Sequence, residues 1–234
     1  MKILVNGPSV TLGKDSWTHR LEEKTGFEIV NFSRINAGNK YIHDSTILEI
    51  SQRKYDLVII SWTYFARMDV RSRWPSAIVH AVELEDSHVT ENTDLDQFWF
   101  FVRTDHKNTV LDKDESNRYG YFLEKYNDLQ NQYNHFYSEE FRLEETLLQI
   151  ISLQAVLKSL NVPYLFTFYK PLLHLKKFQH LYDLIDYNNV HNVHLCHLAR
   201  QNGWVRYNHP DIPAHAAYLD TLLEHPNIKN LIKS

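Results

Sequence analysis

The chain opens on an apolar run, Ile3-Leu4-Val5, that halts at Gly7-Pro8, and this predicts a first strand over Lys2 to Asn6. Trp17 to Lys24 reads as the helix that follows it. Glu28 to Phe32 reads as a second short strand, with a helix over Ile42 to Gln52 behind it. Leu57 to Trp62 is an apolar run of strand length, the pattern of a parallel strand buried on both faces. Between Glu139 and Leu160, Phe141, Leu147, Leu148, Ile151, Leu157 and Leu160 recur at helical spacing. Asn161-Val162-Pro163 ends that helix, and Tyr164 to Phe168 supplies another strand. The alternation predicts an α/β chain, three-layered and flavodoxin-like, with a doubly wound central parallel sheet of about five strands flanked by helices.

Ligands in such sheets bind beyond the carboxyl ends of the strands. Ser9, Gly38 and Thr63 all fall at such ends, which groups them. The stretch from about 68 to 137 fits the alternation least. It mixes the acidic patch Glu83-Leu84-Glu85-Asp86 with the aromatic run Phe98-Trp99-Phe100-Phe101. It reads as an insertion of helices and loops into a single domain spanning 1–234, placed to cover the site or to elaborate the structure.

Composition narrows the classes. A chain of 234 residues can bury one full core. A net charge of −4 argues against nucleic acid or an anionic membrane as the main partner. One cysteine, Cys196, excludes an internal disulfide framework. No apolar stretch reaches the roughly twenty residues that span a bilayer. The N-terminus enters a strand with no basic leader or cleavage site, so a cytoplasmic protein is expected.

Two residues carry candidate chemistry. Ser9 follows a tight turn at the end of a buried strand, which presents a hydroxyl as a nucleophile requires, although such serines more often cap the next helix. His209 precedes a segment in which Pro213 suits a first helical turn and Ala217, Leu219, Leu222 and Leu223 form an apolar face. A histidine on a loop held by that helix is mounted as a general base. His191, His194 and His197 are three apart, but no carboxylate pattern completes a metal site, and neither metal nor cofactor is expected. Gly7 and Gly13 do not form a phosphate loop, because no Gly-Lys-Ser/Thr follows.

Taken in order, four blocks resemble the SGNH/GDSL-type hydrolases, and more closely a bacterial and phage branch of them. They are Gly7-Pro8-Ser9-Val10-Thr11-Leu12-Gly13 followed by Asp15-Ser16-Trp17; Ile35-Asn36-Ala37-Gly38-Asn39-Lys40-Tyr41-Ile42; Asp56 to Thr63 with Arg67 beyond; and His209-Pro210 with His215 six positions on. The resemblance implies an ester hydrolase in which Ser9 attacks and His209 moves the proton. It also implies an oxyanion site from the N–H groups of Ser9 and Gly38, with the Asn39 side chain or the Thr63 hydroxyl as a third donor. Trp62 and Arg67 would contact substrate, Arg67 through an anionic part. The chain departs from the pattern twice. Ser61-Trp62-Thr63-Tyr64 lacks the usual asparagine, and Arg206 and Tyr207 stand where an acid usually precedes the histidine. The expected partner is a carbohydrate or small-molecule ester, with an O-acyl group on a polysaccharide as the first choice. The alternative is a catalytically degenerate member that binds a glycan or a protein, and a third reading is a homo-oligomeric subunit joined through the long helix.

Overall fold

Leu57–Trp62, the most apolar strand-length run, forms β3 and is buried at every position. It sits inside a parallel sheet whose other strands are β1 (Lys2–Asn6), β2 (Glu28–Asn31) and, near its far edge, Tyr164–Phe168. The protein is described by a computed structural model over residues 1–34, 37–65, 67–72, 98–103, 138–206 and 209–233, with backbone alone for 67–72 and 98–103. Two further strands, β4 (Arg67–Ser72) and β5 (Phe98–Arg103), precede Tyr164–Phe168, which is therefore β6. The main sheet runs β2-β1-β3-β6 with every pair parallel. The chain leaves β1 toward one edge and returns on its other side as β3, so a topological switch point lies between these two strands.

Among the described residues the helices are α1 (Trp17–Thr25), α2 (Asn39–Gln52), α3 (Glu139–Ser159), α4 (Gln179–Tyr182), α5 (Leu195–Gln201), α6 (Ile212–Leu223) and α7 (Pro226–Lys233). Strand side chains alternate between two cores, as the period of two requires. Leu4, Val58, Ile60, Trp62 and Phe166 pack with Ile42 of α2 and with Leu143, Leu147, Ile150 and Leu153 of α3. Ile3, Val5, Leu57, Ile59 and Leu165 pack on the opposite face with Trp17 and Leu21 of α1, Leu195 of α5, Tyr218 and Leu219 of α6, and Ile228 of α7. The expected three-layer α/β architecture is the one observed.

Among the described residues the main sheet has four strands, in keeping with the expected about five. Beyond β6 the next position holds a single parallel bridge, Phe166 to Val190, with the His191 N–H donating to the Phe166 carbonyl at 2.8 Å. The local sequence Asn188-Asn189-Val190-His191-Asn192 is too polar to extend it. The α3 register also differs from the predicted stripe. Phe141, Leu148 and Leu160 are exposed, whereas Leu143, Leu147, Ile150, Leu153 and Leu157 face the sheet.

Where an insertion was expected, β4 and β5 pair antiparallel from Arg67 opposite Arg103 to Ser72 opposite Phe98. The aromatic run Phe98-Trp99-Phe100-Phe101 is therefore strand, not the helix or loop expected, consistent with the β preference of aromatic side chains. The rest of the expected insertion, with the acidic patch and the expected cover over the site, lies outside the described residues. Among the described residues no helix is long and apolar enough to cross a membrane.

Candidate active site

Gly7 follows β1 where the chain passes against β3. A Cβ at this position would lie 2.8 Å from Ser61 Cβ and 3.0 Å from the Ser61 carbonyl oxygen, so only glycine allows the approach. After Pro8, Ser9–Thr11 forms one 3-10 turn. The Thr11 N–H and hydroxyl both donate to the Pro8 carbonyl, at 3.0 and 2.5 Å, and the Leu12 N–H donates to the Ser9 carbonyl at 3.0 Å. The Thr11 carbonyl in turn accepts from the Thr18 hydroxyl of α1 and from Asn31 Nδ2 at the end of β2, each at 2.7 Å. The Ser9 turn is thus braced from two sides, and Ser9 itself is half-buried.

Gly38 is the N-cap of α2, and Asn39 begins the helix. The helix starts three residues before the expected Ile42. Asn39 Oδ1 accepts from the Thr63 N–H at 2.9 Å, while Nδ2 donates to the Thr63 carbonyl at 3.2 Å and to Thr146 Oγ1 of α3 at 3.1 Å. Both amide hydrogens of Asn39 are therefore engaged, and the amide clasps the residue that ends β3. Of the two substitutes expected for a third oxyanion donor, the Thr63 hydroxyl is the one left. Thr63 is 4 % exposed and its Oγ1 has no hydrogen-bond partner among the described residues.

His209 lies in a two-residue strand, β8 (His209–Pro210), paired antiparallel with β7 (Val205–Arg206), and is exposed. Asp211 caps α6, its Oδ1 accepting from the Ile212 N–H at 2.8 Å, and Pro213 falls in the first turn as expected. His215, one turn into α6, is buried, and its Nδ1 accepts from the Trp17 N–H at 3.3 Å. Burial above all, and then the nearby Arg20 cation, push its pKa down to about 4, against the opposing pull of Asp15, Asp211 and the Pro210 backbone. An open cleft of about 360 Å³ lies between Leu12–Ser16 and the segment carrying Arg206, Pro210, Asp211, Ile212 and His215.

Ser9 and Thr63 follow β1 and β3, the strands that flank the switch point, and Asn39 joins Gly38 to Thr63. Trp62 is not a surface contact. It is fully buried and meets Phe166 edge-on at 5.6 Å, because its position in β3 points into the core. The Arg67 backbone belongs to β4, and its side chain lies outside the described residues. His191, His194 and His197 do not share a helix face. His191 lies at the sheet edge, His194 caps α5 and only His197 is within it, and no metal-binding group of three occurs among the described residues. Sequence reasoning missed Thr18 and the Trp17 backbone as braces. The Ser16-Trp17-Thr18 run, with a capping serine before a tryptophan, was the available signal.

No family model matches the chain, and no characterised protein matches it by sequence. Several solved structures are similar to it in fold. The psychrotrophic esterase EstA from Pseudoalteromonas sp., in a form inhibited by monoethylphosphonate, shares 10% identity over 100% of this chain and 99% of its own, with a TM-score of 0.53. TesA is similar at 10% identity over 99% of each chain, with a TM-score of 0.51. At such identity the likeness is one of fold. The chain has the α/β fold of these structures, a parallel sheet flanked by helices, as the SGNH-type resemblance implies.

Proposed function

We propose that the protein is a serine ester hydrolase working through a Ser9 acyl-enzyme. The observation that carries this reading is the Ser9 turn, fixed by Thr11, Thr18 and Asn31 at the carboxyl edge of the sheet beside the switch point. The fold shared with two structures, one named an esterase, supports it. Ser9 Oγ attacks the ester carbonyl while His209 takes the hydroxyl proton. The C–O bond to the leaving alcohol then breaks, and the alcohol departs with that proton. Water, or a second sugar hydroxyl, repeats the sequence in reverse order to release the acyl group. The N–H groups of Ser9 and Gly38 bind the oxyanion, and the Thr63 hydroxyl is the third donor. Asp211 Oδ1 caps α6, and the reading takes a Ser9–His209 pair as the working unit. The substrate is an O-acyl, foremost O-acetyl, group on a carbohydrate or small ester, and Arg67 binds an anionic part of it.

A fluorophosphonate probe tests the reading. Wild type is expected to label, and Ser9→Ala and His209→Ala to lose labelling. Thr63→Val should slow labelling on the order of a hundredfold, the effect of losing one oxyanion donor. Since removing an unpartnered buried hydroxyl is close to neutral for folding, such a loss points to chemistry rather than stability. The second reading, a degenerate site that binds a glycan or protein, is favoured by the engagement of both Asn39 amide hydrogens. Folded wild type that fails to label would overturn the hydrolase and direct the search to glycan binding.

A further inference from the structure

The first turn of α1 is shared by the two halves of the proposed site. Trp17 is the first residue of the helix, so its N–H has no partner within it. The capping Ser16 hydroxyl serves the His19 N–H, and the Trp17 N–H goes instead to His215 Nδ1, across 198 positions of sequence. The next residue, Thr18, turns its hydroxyl to the Thr11 carbonyl on the Ser9 turn. One residue of this turn therefore holds the nucleophile block and its neighbour holds α6. The Trp17 indole reinforces the second hold, meeting the Tyr218 ring edge-on at 5.8 Å, and Tyr218 follows His215 by one turn on the same face of α6.

We infer that His215 is a positioning residue that seats the His209 segment relative to the Ser9 turn, with the α1 N-terminus as the common anchor. The inference rests on the Ser9–His209 reading above. Only Pro210 to Ala214 separate the two histidines, and Asp211 caps the helix there, so the seating of the first turn of α6 sets where the chain delivers His209. An apolar residue would fill this part of the core as well as an imidazole does, but it could not accept the Trp17 N–H. Acceptance through Nδ1 places the proton of the neutral ring on Nε2. A protonated ring would bring an N–H against an N–H at the positive end of a helix, and the tie would be lost. Burial, which holds the ring neutral, agrees with this arrangement.

The test is the rate of fluorophosphonate labelling of Ser9 across pH in wild type, His215→Leu and His215→Asn. Leucine keeps the volume without an acceptor; the asparagine carbonyl places an acceptor where Nδ1 stands. His215→Leu is expected to label on the order of ten- to a hundredfold more slowly per folded molecule, with the pH midpoint of labelling displaced, because a displaced base loses both alignment and environment. His215→Asn is expected to recover to within a few-fold of wild type with the wild-type profile. A purely structural histidine would lower the melting temperature in both variants and leave the labelling profile of the folded fraction unchanged, and that result overturns the inference. If His215→Leu does not fold, the smaller His215→Ala takes its place as the acceptor-free variant: slower labelling with a displaced midpoint supports the tie, and a wild-type rate and profile of the folded fraction overturn it. Absence of labelling in wild type removes the hydrolase reading itself, and this inference with it, before any variant is compared.

Discussion

Gly7 is the residue on which the geometry of the Ser9 turn depends most directly. Gly7→Ala places a methyl group 2.8 Å from Ser61 Cβ and 3.0 Å from a backbone oxygen that cannot rotate away. The expected result is a loss of about 1–3 kcal/mol, read as a lower denaturant midpoint, together with slower probe labelling as the turn shifts. His215 and His191 make a second prediction, in pH. Both are held neutral by burial, with pKa values pushed from 6.5 to about 4; His225 and His194 add to the effect at His191, and Arg20 adds to it at His215 while Asp15 and Asp211 oppose it. Lys14 and Arg206 also line the cleft beside His215. The unfolded chain takes up these protons first as pH falls, so the stability is complete above about pH 6.5 and is lost toward pH 4. Each ring accounts for about 3 kcal/mol across that window. Denaturant midpoints at pH 7, 5.5 and 4.5 should fall steeply in wild type and less steeply in His215→Asn, with burial of His194 and His225 adding to the slope in both; parallel slopes would remove His215 from the account. What was legible at this scale was local. Gly-Pro-Ser announces its own turn, whereas the partners of Asn39 lie 24 and 107 positions away, and nothing in the local sequence shows that its amide is engaged.

At the scale of elements, strands were read more accurately than helix faces. A short apolar run flanked by turn residues has one sensible reading, and β1, β3 and β6 begin and end where the pattern changes. Apolar residues on α3 cover far more than one stripe, so the sequence permits several phases, and the sheet selects the one through Leu143, Leu147 and Ile150. The place of the strand-like segment beyond β6 was not legible for the complementary reason: a single bridge to Val190 leaves no periodic trace. α3 also carries a second amide clasp, built like that of Asn39. Gln154 Nε2 donates to the Leu184 carbonyl at 2.9 Å, and its Oε1 accepts from the Asp186 N–H at 2.7 Å. This ties the segment after α4 to the long helix, where Lys158 and Asp186 also pair at 2.8 Å. Gln154→Leu, which fills similar space and satisfies neither backbone group, should lower stability by about 1–3 kcal/mol. Faster amide exchange at 184–186, with the Ser9 turn unchanged, would locate the loss in this clasp.

For the whole molecule, the arrangement is two cores separated by one sheet, and neither core contains the complete candidate site. Val10, next to Ser9, and Trp17 of α1 pack with Tyr218 and Leu219 of α6 on one side, while Asn39 and its partner Thr146 belong to the side of α2 and α3. The sheet edge is where the two meet, through Gly7 against Ser61 and Asn39 against Thr63. Stability and site geometry should therefore separate by face. Leu147→Ala opens the α3 core and Leu219→Ala opens the α6 core, each at a cost of about 2–5 kcal/mol. With the sheet between them and no shared neighbours, the two losses should add to within about 0.5 kcal/mol. A domain of this kind has only about 5–15 kcal/mol in total, so the double variant should stand near its unfolding midpoint without denaturant. A double variant much more stable than that sum would mean that the sheet transmits relaxation from one core to the other, and the two faces would then count as one cooperative unit. Additive losses, with labelling impaired more by Leu219→Ala than by Leu147→Ala, would show that the proposed nucleophile and base depend more on the packing of the α6 core than on that of the α3 core.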